Sequence, residues 1–215
     1  MPSTDAIAEA LGALKEKEAK DLIREALDAG TPATEILEAC RRGLAEVGER
    51  FNRGEYFISE LMYAGEIMKD ISAQLQPLLG AAPEIKGESG NVVIGTVQGD
   101  IHDIGKDIVV LMLRGAGFTV TDLGVDVAPA QFVEAVKDKG AFLLGMSVFL
   151  TTCCKALEQT VEELKKAGLR EKVGVVIGGA AASPMVAERT GCDAYGANAV
   201  DAVSLAAEAR KRLAG

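Results

Sequence analysis

Residues 91–110 read NVVIGTVQGDIHDIGKDIVV: a near-continuous apolar run, a glycine-bearing acidic turn, then a second apolar segment. The run NVVIGTV suits a parallel strand covered on both faces, because a strand buried on both sides carries apolar residues toward each of them. The turn holds His102, the one histidine of the chain, between Asp100 and Asp103. Downstream the same rhythm recurs. Candidate strands are Val92–Val97, Thr119–Leu123, Phe142–Ser147 and Val173–Ile177, with a short one near Ala194, and each is followed by a helical segment of about a dozen residues. Pro129 and the pair Ser183-Pro184 mark helix starts. Strand–helix alternation predicts an α/β domain over 91–215, a flavodoxin-like doubly wound parallel sheet with ligands at the carboxyl ends of its strands.

Upstream the rhythm changes. Residues 1–80 read as an all-α helical bundle. Gly30 can end one helix, Thr31 can cap the next, Pro32 suits its first position and Glu35 its N-terminal dipole. From Ala33 to about Phe51, Ile36, Leu37, Cys40, Leu44 and Val47 recur at helical spacing. A break follows at Asn52-Arg53-Gly54. A further helix is expected from about Ser59 to Leu79, with Leu61, Met62, Ile67, Met68, Ile71 and Leu75 available for a buried face. Residues 81–90, AAPEIKGESG, lose all periodicity and read as a linker, the expected hinge between the two domains.

Composition narrows the classes of function. Lys and Arg total 23 against 32 Asp and Glu in 215 residues, a net charge of −9. That balance argues against nucleic acid or an anionic membrane as partner, since phosphate binding needs clustered cations. No apolar run approaches the roughly 20 residues of a spanning helix, and MPSTDAIAEA has no basic segment followed by an apolar one, so a cytoplasmic location is expected. Cys40, Cys153, Cys154 and Cys192 form no C-x-x-C pair. With one histidine there are too few ligands for a zinc cluster, and reduced, packed thiols are expected.

His102 lies after the first strand, where such sheets bind ligands. A carboxylate in reach of one imidazole nitrogen fixes the tautomer and leaves the other nitrogen as a basic metal ligand. Gly99 and Gly105 let backbone approach a bulky ligand closely. For an isolated D-x-H, a surface histidine in a polar turn is the plainer reading. A receiver-type magnesium site would need an acidic pair after the first strand and an Asp after the third, and the third strand ends in Ser147 with no Asp following.

The order of the remaining features sharpens this. Asp100-x-His102-x-x-Gly105 precedes Ser147-Val148-Phe149, and Gly178-Gly179 follows. This resembles the corrinoid-binding signature D-x-H-x-x-G, S-x-L, G-G of cobalamin-dependent methyltransferases and mutases. The resemblance runs on through TVTDLGVDVAP, SVFLTT, VIGGA and YGANA. Upstream, GLAEVGERFNRGEYFISELMYAGEIM is similar to the helical cap domain of methyl-carrying corrinoid proteins. The whole chain resembles the small corrinoid proteins of methylamine, methanol and O-demethylase methyltransferase systems, and the cobalamin module of methionine synthase.

That resemblance implies cobalamin or a related corrinoid bound base-off/His-on. His102 would replace the cofactor's own base as the lower axial ligand of cobalt, Asp100 would hold the other nitrogen, and Ser147 would extend a proton relay that weakens the His–cobalt bond. Gly99, Ile101, Asp103 and Ile104 belong to the same cofactor-binding turn. Gly105, Gly178 and Gly179 would leave room for the nucleotide tail, Thr151 matches a position that hydrogen-bonds it, and Tyr195, Gly196, Asn198 and Ala199 would close around its base. Phe51 and Ile58 match cap positions that contact the methyl-bearing face, with Phe57, Leu61 and Met62 as further apolar candidates. For any one of these, ordinary bundle core is the plainer reading.

Three positions depart from the pattern. Phe149 stands where S-x-L has leucine and is expected to preserve burial. Ser59 replaces a usual proline and can cap the helix. Cys153-Cys154 replace threonine and other small residues and are expected to pack near the nucleotide tail. The resemblance implies a methyl carrier with no catalytic residue of its own. It would accept a methyl group on Co(I) from a substrate-specific methyltransferase and deliver it from methyl–Co(III) to a second methyltransferase, whose acceptor is tetrahydrofolate or a thiol coenzyme. A reductive activase would rescue oxidised cobalt. The alternatives are the small subunit of an adenosylcobalamin mutase, which leaves the helical half unexplained, and a cobalamin-based sensor. Such sensors generally carry a DNA-binding module, and no basic helix–turn–helix is expected before residue 3 or after residue 213.

Overall fold

The computed structural model describes residues 3–79 and 90–214. The chain divides into two compact units, Met1–Ile85 with Arg114–Gly117 and Lys86–Leu113 with Phe118–Gly215. The linker expected over 81–90 lies outside the described residues except for Gly90.

The first unit contains α1 (Thr4–Gly12), α2 (Glu16–Asp28), α3 (Ala33–Asn52) and α4 (Ile58–Leu75). Ser3 caps α1, its hydroxyl accepting from the Asp5 N–H at 3.1 Å. The cap of α3 falls at Pro32 rather than Thr31, because the Pro32 carbonyl already accepts the first helical bonds, from Glu35 and Ile36. Helices α1 and α3 cross closely: a Cβ on Gly43 would lie 2.7 Å from the Ala8 carbonyl oxygen. Ile7, Leu11, Ile36, Cys40, Leu44, Val47, Leu61, Ile67, Met68, Ile71 and Leu75 are all buried. Met62, expected on that face, is exposed; its neighbour Leu61 takes the inward position. The α-helix stops at Leu75 and gives way to a 3₁₀ turn, Gln76–Leu79, since Pro77 has no N–H to continue the ladder. Ser59 sits inside the first turn of α4 and does not cap it. Glu60 does so instead, accepting from the Phe57 N–H and the Ser59 hydroxyl, each at 2.9 Å.

The second unit alternates strand and helix as expected: β1 (Asn91–Thr96), α5 (Ile104–Gly115), β2 (Thr119–Asp122), α6 (Pro129–Lys139), β3 (Leu143–Ser147), α7 (Cys154–Lys166), β4 (Gly174–Gly178), α8 (Pro184–Thr190), β5 (Ala194–Tyr195) and α9 (Ala199–Ala214). All strands are parallel, in the order β2-β1-β3-β4-β5. This is the flavodoxin-like doubly wound sheet that the alternation predicts. Pro129 opens α6, and the Ser183 hydroxyl caps α8 by accepting from the Val186 N–H at 3.2 Å. On one face Val93, Leu144, Met146, Val175 and Ile177 pack with Phe132 and Val136 of α6 and Leu157, Val161 and Leu164 of α7. On the other face α9 comes so close that a Cβ on Gly174 would meet Ala209 at 3.2 Å. Among the described residues no helix is long and apolar enough to cross a membrane.

Register positions the functional end of the sheet. Thr96 is level with Ser147, and Ser147 with Gly178, so three separated sequence motifs finish in one row. Gly179 then turns with φ +108°, and any Cβ there would collide with the Val148 carbonyl oxygen; only glycine fits.

The far edge is held by Asp193. Its carboxylate accepts from Arg170 Nη2 and from the Val175 N–H, both at 2.7 Å, with Arg212 at 3.5 Å. Burial tends to raise this carboxyl, but the Arg170 and Val175 hydrogen bonds and the charges of Arg170 and Arg212 outweigh it and hold the pKa below its ordinary value. A lowered folded-state pKa contributes stability above the unfolded value of 3.8 that is lost as pH falls through the folded value. Asp193→Asn is therefore expected to cost about 1–2 kcal/mol at pH 7. In urea unfolding across pH, its deficit against the parent should shrink below about pH 4.

Candidate functional site

The loop after β1 is shaped by Gly99, at φ +85°, whose N–H donates to Asp126 Oδ1 at 2.7 Å. Asp100 follows and is fully buried, at 0% exposure. Its Oδ1 accepts from the His102 N–H at 3.1 Å and from His102 Nδ1 at 2.7 Å. Its Oδ2 accepts from the N–H groups of Phe149 and Leu150, at 2.6 and 3.0 Å. Burial alone would raise this carboxyl, but these four hydrogen bonds overcome it and hold the pKa at about 2. Asp100 is thus a carboxylate at neutral pH, so Nδ1 is the donor and, in the neutral imidazole, the lone pair lies on Nε2. The His102 carbonyl accepts from the Thr96 hydroxyl at 3.0 Å, fixing the backbone behind the ring. The side chain is 46% exposed, and no protein group among the described residues bonds Nε2.

A second loop braces the first. After β2, Gly124 O accepts from the Thr96 N–H, the Asp126 N–H donates to Asp100 O and the Val127 N–H donates to Thr96 O, at 2.9, 3.0 and 3.0 Å. Asp126 adopts φ +53° to make these contacts. Asp122 Oδ1 accepts from the Gly124 N–H, while Oδ2 pairs with Lys106 at 2.6 Å. Lys106 is buried and also pairs with Asp107. Burial would lower its pKa, but the bonds to the two aspartates prevail and raise it. Sequence reading passed over Lys106, Asp122 and Asp126. The available signals were a lysine inside the apolar segment IGKDIVV and two acids flanking the glycine of DLGVD.

The remaining candidates fall in several places. Ser147 is half-buried and its carbonyl accepts from the Val97 N–H. Its hydroxyl is not among the partners of Asp100, whose Oδ2 is already taken by two backbone N–H groups. Phe149 does not keep the burial expected of it. It lies beyond the end of β3, is 49% exposed, and stacks its ring on His102 with centroids 4.1 Å apart and planes inclined by 18°. Thr151 is exposed at the start of a 3₁₀ turn. Asp103 is exposed; its carbonyl accepts from the Asp107 N–H at the start of α5. Tyr195 packs against the sheet core, and the Gly196 N–H donates to Ile177 O. Asn198 Oδ1 caps α9, accepting from Val200 and Asp201 N–H groups, and Ala199 is buried. All four cysteines are free and buried, and burial pushes the Cys40 thiol up to about 12. Cys153 packs beneath the turn, its Sγ 3.3 Å from where a Gly99 Cβ would stand. In the helical unit Leu61 is core, which removes it from the apolar lid candidates; Phe51 is half-buried, and Phe57, Ile58 and Met62 are exposed.

This end of the sheet offers a solvent-facing imidazole nitrogen rimmed by exposed Ile101, Ile104, Phe149 and Leu150. A Cβ on Gly105 would meet nothing within 4 Å, so the backbone there is open to a ligand. Among the described residues no three His, Cys, Asp or Glu side chains gather as a metal site. A metal held by His102 must therefore bring its other ligands with it, as a flat macrocyclic complex does. The apolar rim and open glycine fit such a group.

Fold and site together define a doubly wound parallel-sheet domain that presents its histidine at the carboxyl end of the first strand, with a helical unit preceding it in the chain. Residues 90–204 match the family described as B12 binding domain, and residues 4–76 match a second family of the same description. A dimethylamine corrinoid protein of Methanosarcina barkeri is 39% identical over 206 residues, covering 94% of each chain. The crystal structure of a cobalamin-binding protein from Desulfitobacterium hafniense is 34% identical, with a TM-score of 0.85 over 97% of this chain and 99% of that one. The methanol:cobalamin methyltransferase complex of M. barkeri is 27% identical, with a TM-score of 0.82 over 96% of this chain and 78% of that one. The chain belongs to the B12-binding corrinoid proteins of methyltransferase systems.

Both Asp100 oxygens receive N–H donors, so an asparagine must turn its own NH₂ against at least one of them. Asp100→Asn is expected to cost about 2–4 kcal/mol in urea unfolding. The nitrogen-15 signals of the single imidazole should then show the fixed tautomer giving way to a mixture.

Proposed function

We propose that this protein is a methyl carrier that holds a corrinoid base-off, with His102 Nε2 as the lower axial ligand. The observation that carries this reading is the buried Asp100 carboxylate 2.7 Å from His102 Nδ1, which leaves Nε2 as the outward base. When bound, the cobalt supplies the chemistry: it accepts a methyl group and gives it up again. The protein's residues prepare the seat. Asp100 fixes the tautomer and strengthens Nε2 as a donor, because a hydrogen-bonded carboxylate raises the basicity of the opposite nitrogen. Thr96 and Asp126 hold the turn at a constant height above β1. Gly105 and the Gly178-Gly179 strand end leave backbone open to the nucleotide tail, with Thr151 and the 195–199 loop nearby in the sequence order that such a tail follows. In the helical unit, exposed Phe57 and Ile58 with half-buried Phe51 have the apolar chemistry that a corrin face requires.

As a corrinoid protein, the chain works with methyltransferases. A substrate-specific methyltransferase loads it, and a second passes the methyl group to tetrahydrofolate or a thiol coenzyme. A reductive activase returns oxidised cobalt to service. The name of the M. barkeri relative favours a methylated amine as donor. Electron paramagnetic resonance of the Co(II) form tests the assignment. The parent should show splitting by one imidazole nitrogen, and His102→Ala should lose it. Unchanged splitting in His102→Ala would remove His102 from the cobalt.

A further inference from the structure

The hydrogen bond to Asp100 fixes one nitrogen of His102 but leaves the ring free to rock about that contact. With 46% of its side chain exposed, few walls limit it. Phe149 supplies one, stacking on the imidazole at 4.1 Å with an 18° inclination. The same residue donates its backbone N–H to Asp100 Oδ2 at 2.6 Å, so one residue grips both members of the His–Asp pair. Phe149 is 49% exposed, and an aromatic ring left in solvent has no core-packing reason to be there. Where the corrinoid signature has leucine, which can touch an imidazole but not stack on it, this chain has the ring.

We propose that Phe149 is a positioning residue for His102: its ring holds the imidazole plane in one orientation, so that Nε2 is presented for axial ligation before any cofactor is bound. The consequence for ligation rests on the corrinoid reading; the stack itself does not. An imidazole already ordered loses less freedom on binding a metal, so pre-organisation favours the ligated state. The gain expected from an aromatic pair is roughly 2- to 10-fold in the ligation equilibrium.

His102 is the only histidine, so its ring protons give unambiguous signals. In the cofactor-free protein they should lie upfield, under the Phe149 ring current. Phe149→Leu should move them to the positions of an unstacked imidazole, and Phe149→Tyr should leave them in place. After loading with cob(II)alamin, the ratio of nitrogen-ligated to unligated cobalt should fall roughly 2- to 10-fold in Phe149→Leu and remain at the parent value in Phe149→Tyr. Identical imidazole signals in parent and Phe149→Leu would overturn the stack. Shifted signals with an unchanged ligation ratio would overturn the positioning role. If the parent takes up no corrinoid, the function proposed above fails, while the cofactor-free spectra still decide the stack.

Discussion

Asp100 is fully buried, ionised, and shared between two loops: it accepts from His102 on its own loop and from Phe149 and Leu150 after β3. An unpaired buried carboxylate would cost several kcal/mol, so those N–H groups must converge on it whenever the domain is folded. The convergence requires β1 and β3 to be neighbours with their ends level, as the pairing of Thr96 with Ser147 makes them. Parallel neighbours separated by a crossover place both loops at the same end, in the crevice where the strand order reverses. The seat of the imidazole is therefore a property of the sheet as much as of the loop.

The rest of the site reinforces that arrangement. The loop after β2 closes on the other side of β1, with Asp126 bonding Gly99 and Asp100 and Gly124 bonding Thr96. Lys106 ties this loop to α5 through Asp122 while Asp107 shares its charge. Asp100, Thr96, Asp126 and Lys106 are thus all engaged behind the imidazole, and among the described residues no protein group bonds Nε2. The surfaces around it are apolar and exposed, Ile101, Ile104, Phe149 and Leu150, which is costly for a domain with nothing to cover them and suits one that receives a flat ligand.

Much of the architecture was legible in residue order. Apolar runs bounded by glycine and proline placed every strand to within a residue or so, because a doubly covered parallel strand leaves an unmistakable pattern. The helical unit was legible from its spacing, with errors at the ends: Pro32 rather than Thr31 opens α3, Glu60 rather than Ser59 caps α4, and Pro77 stops that helix at Leu75. Ends depend on which hydrogen bonds form first, and periodicity does not report that. Leu61 and Met62 show the same limit, since adjacent helical residues point about 100° apart and only packing decides which turns inward.

By itself the sequence determined the class of sheet, the position of His102 at the carboxyl end of its first strand, and the carboxylate two residues before it. At Gly179 the sequence implied only room for the nucleotide tail; that glycine is obligatory there follows from a collision with Val148 that only the fold creates. The tertiary structure decided which groups complete the pair. It put Phe149 and Leu150 N–H groups on Asp100 instead of the Ser147 hydroxyl, brought Asp126 and Lys106 behind the turn, and set the Phe149 ring on the imidazole. The two N–H groups on Asp100 come from about fifty positions along the chain, through backbone atoms that every residue but proline possesses equally. No residue type announces them, and they exist only once the strands are in register.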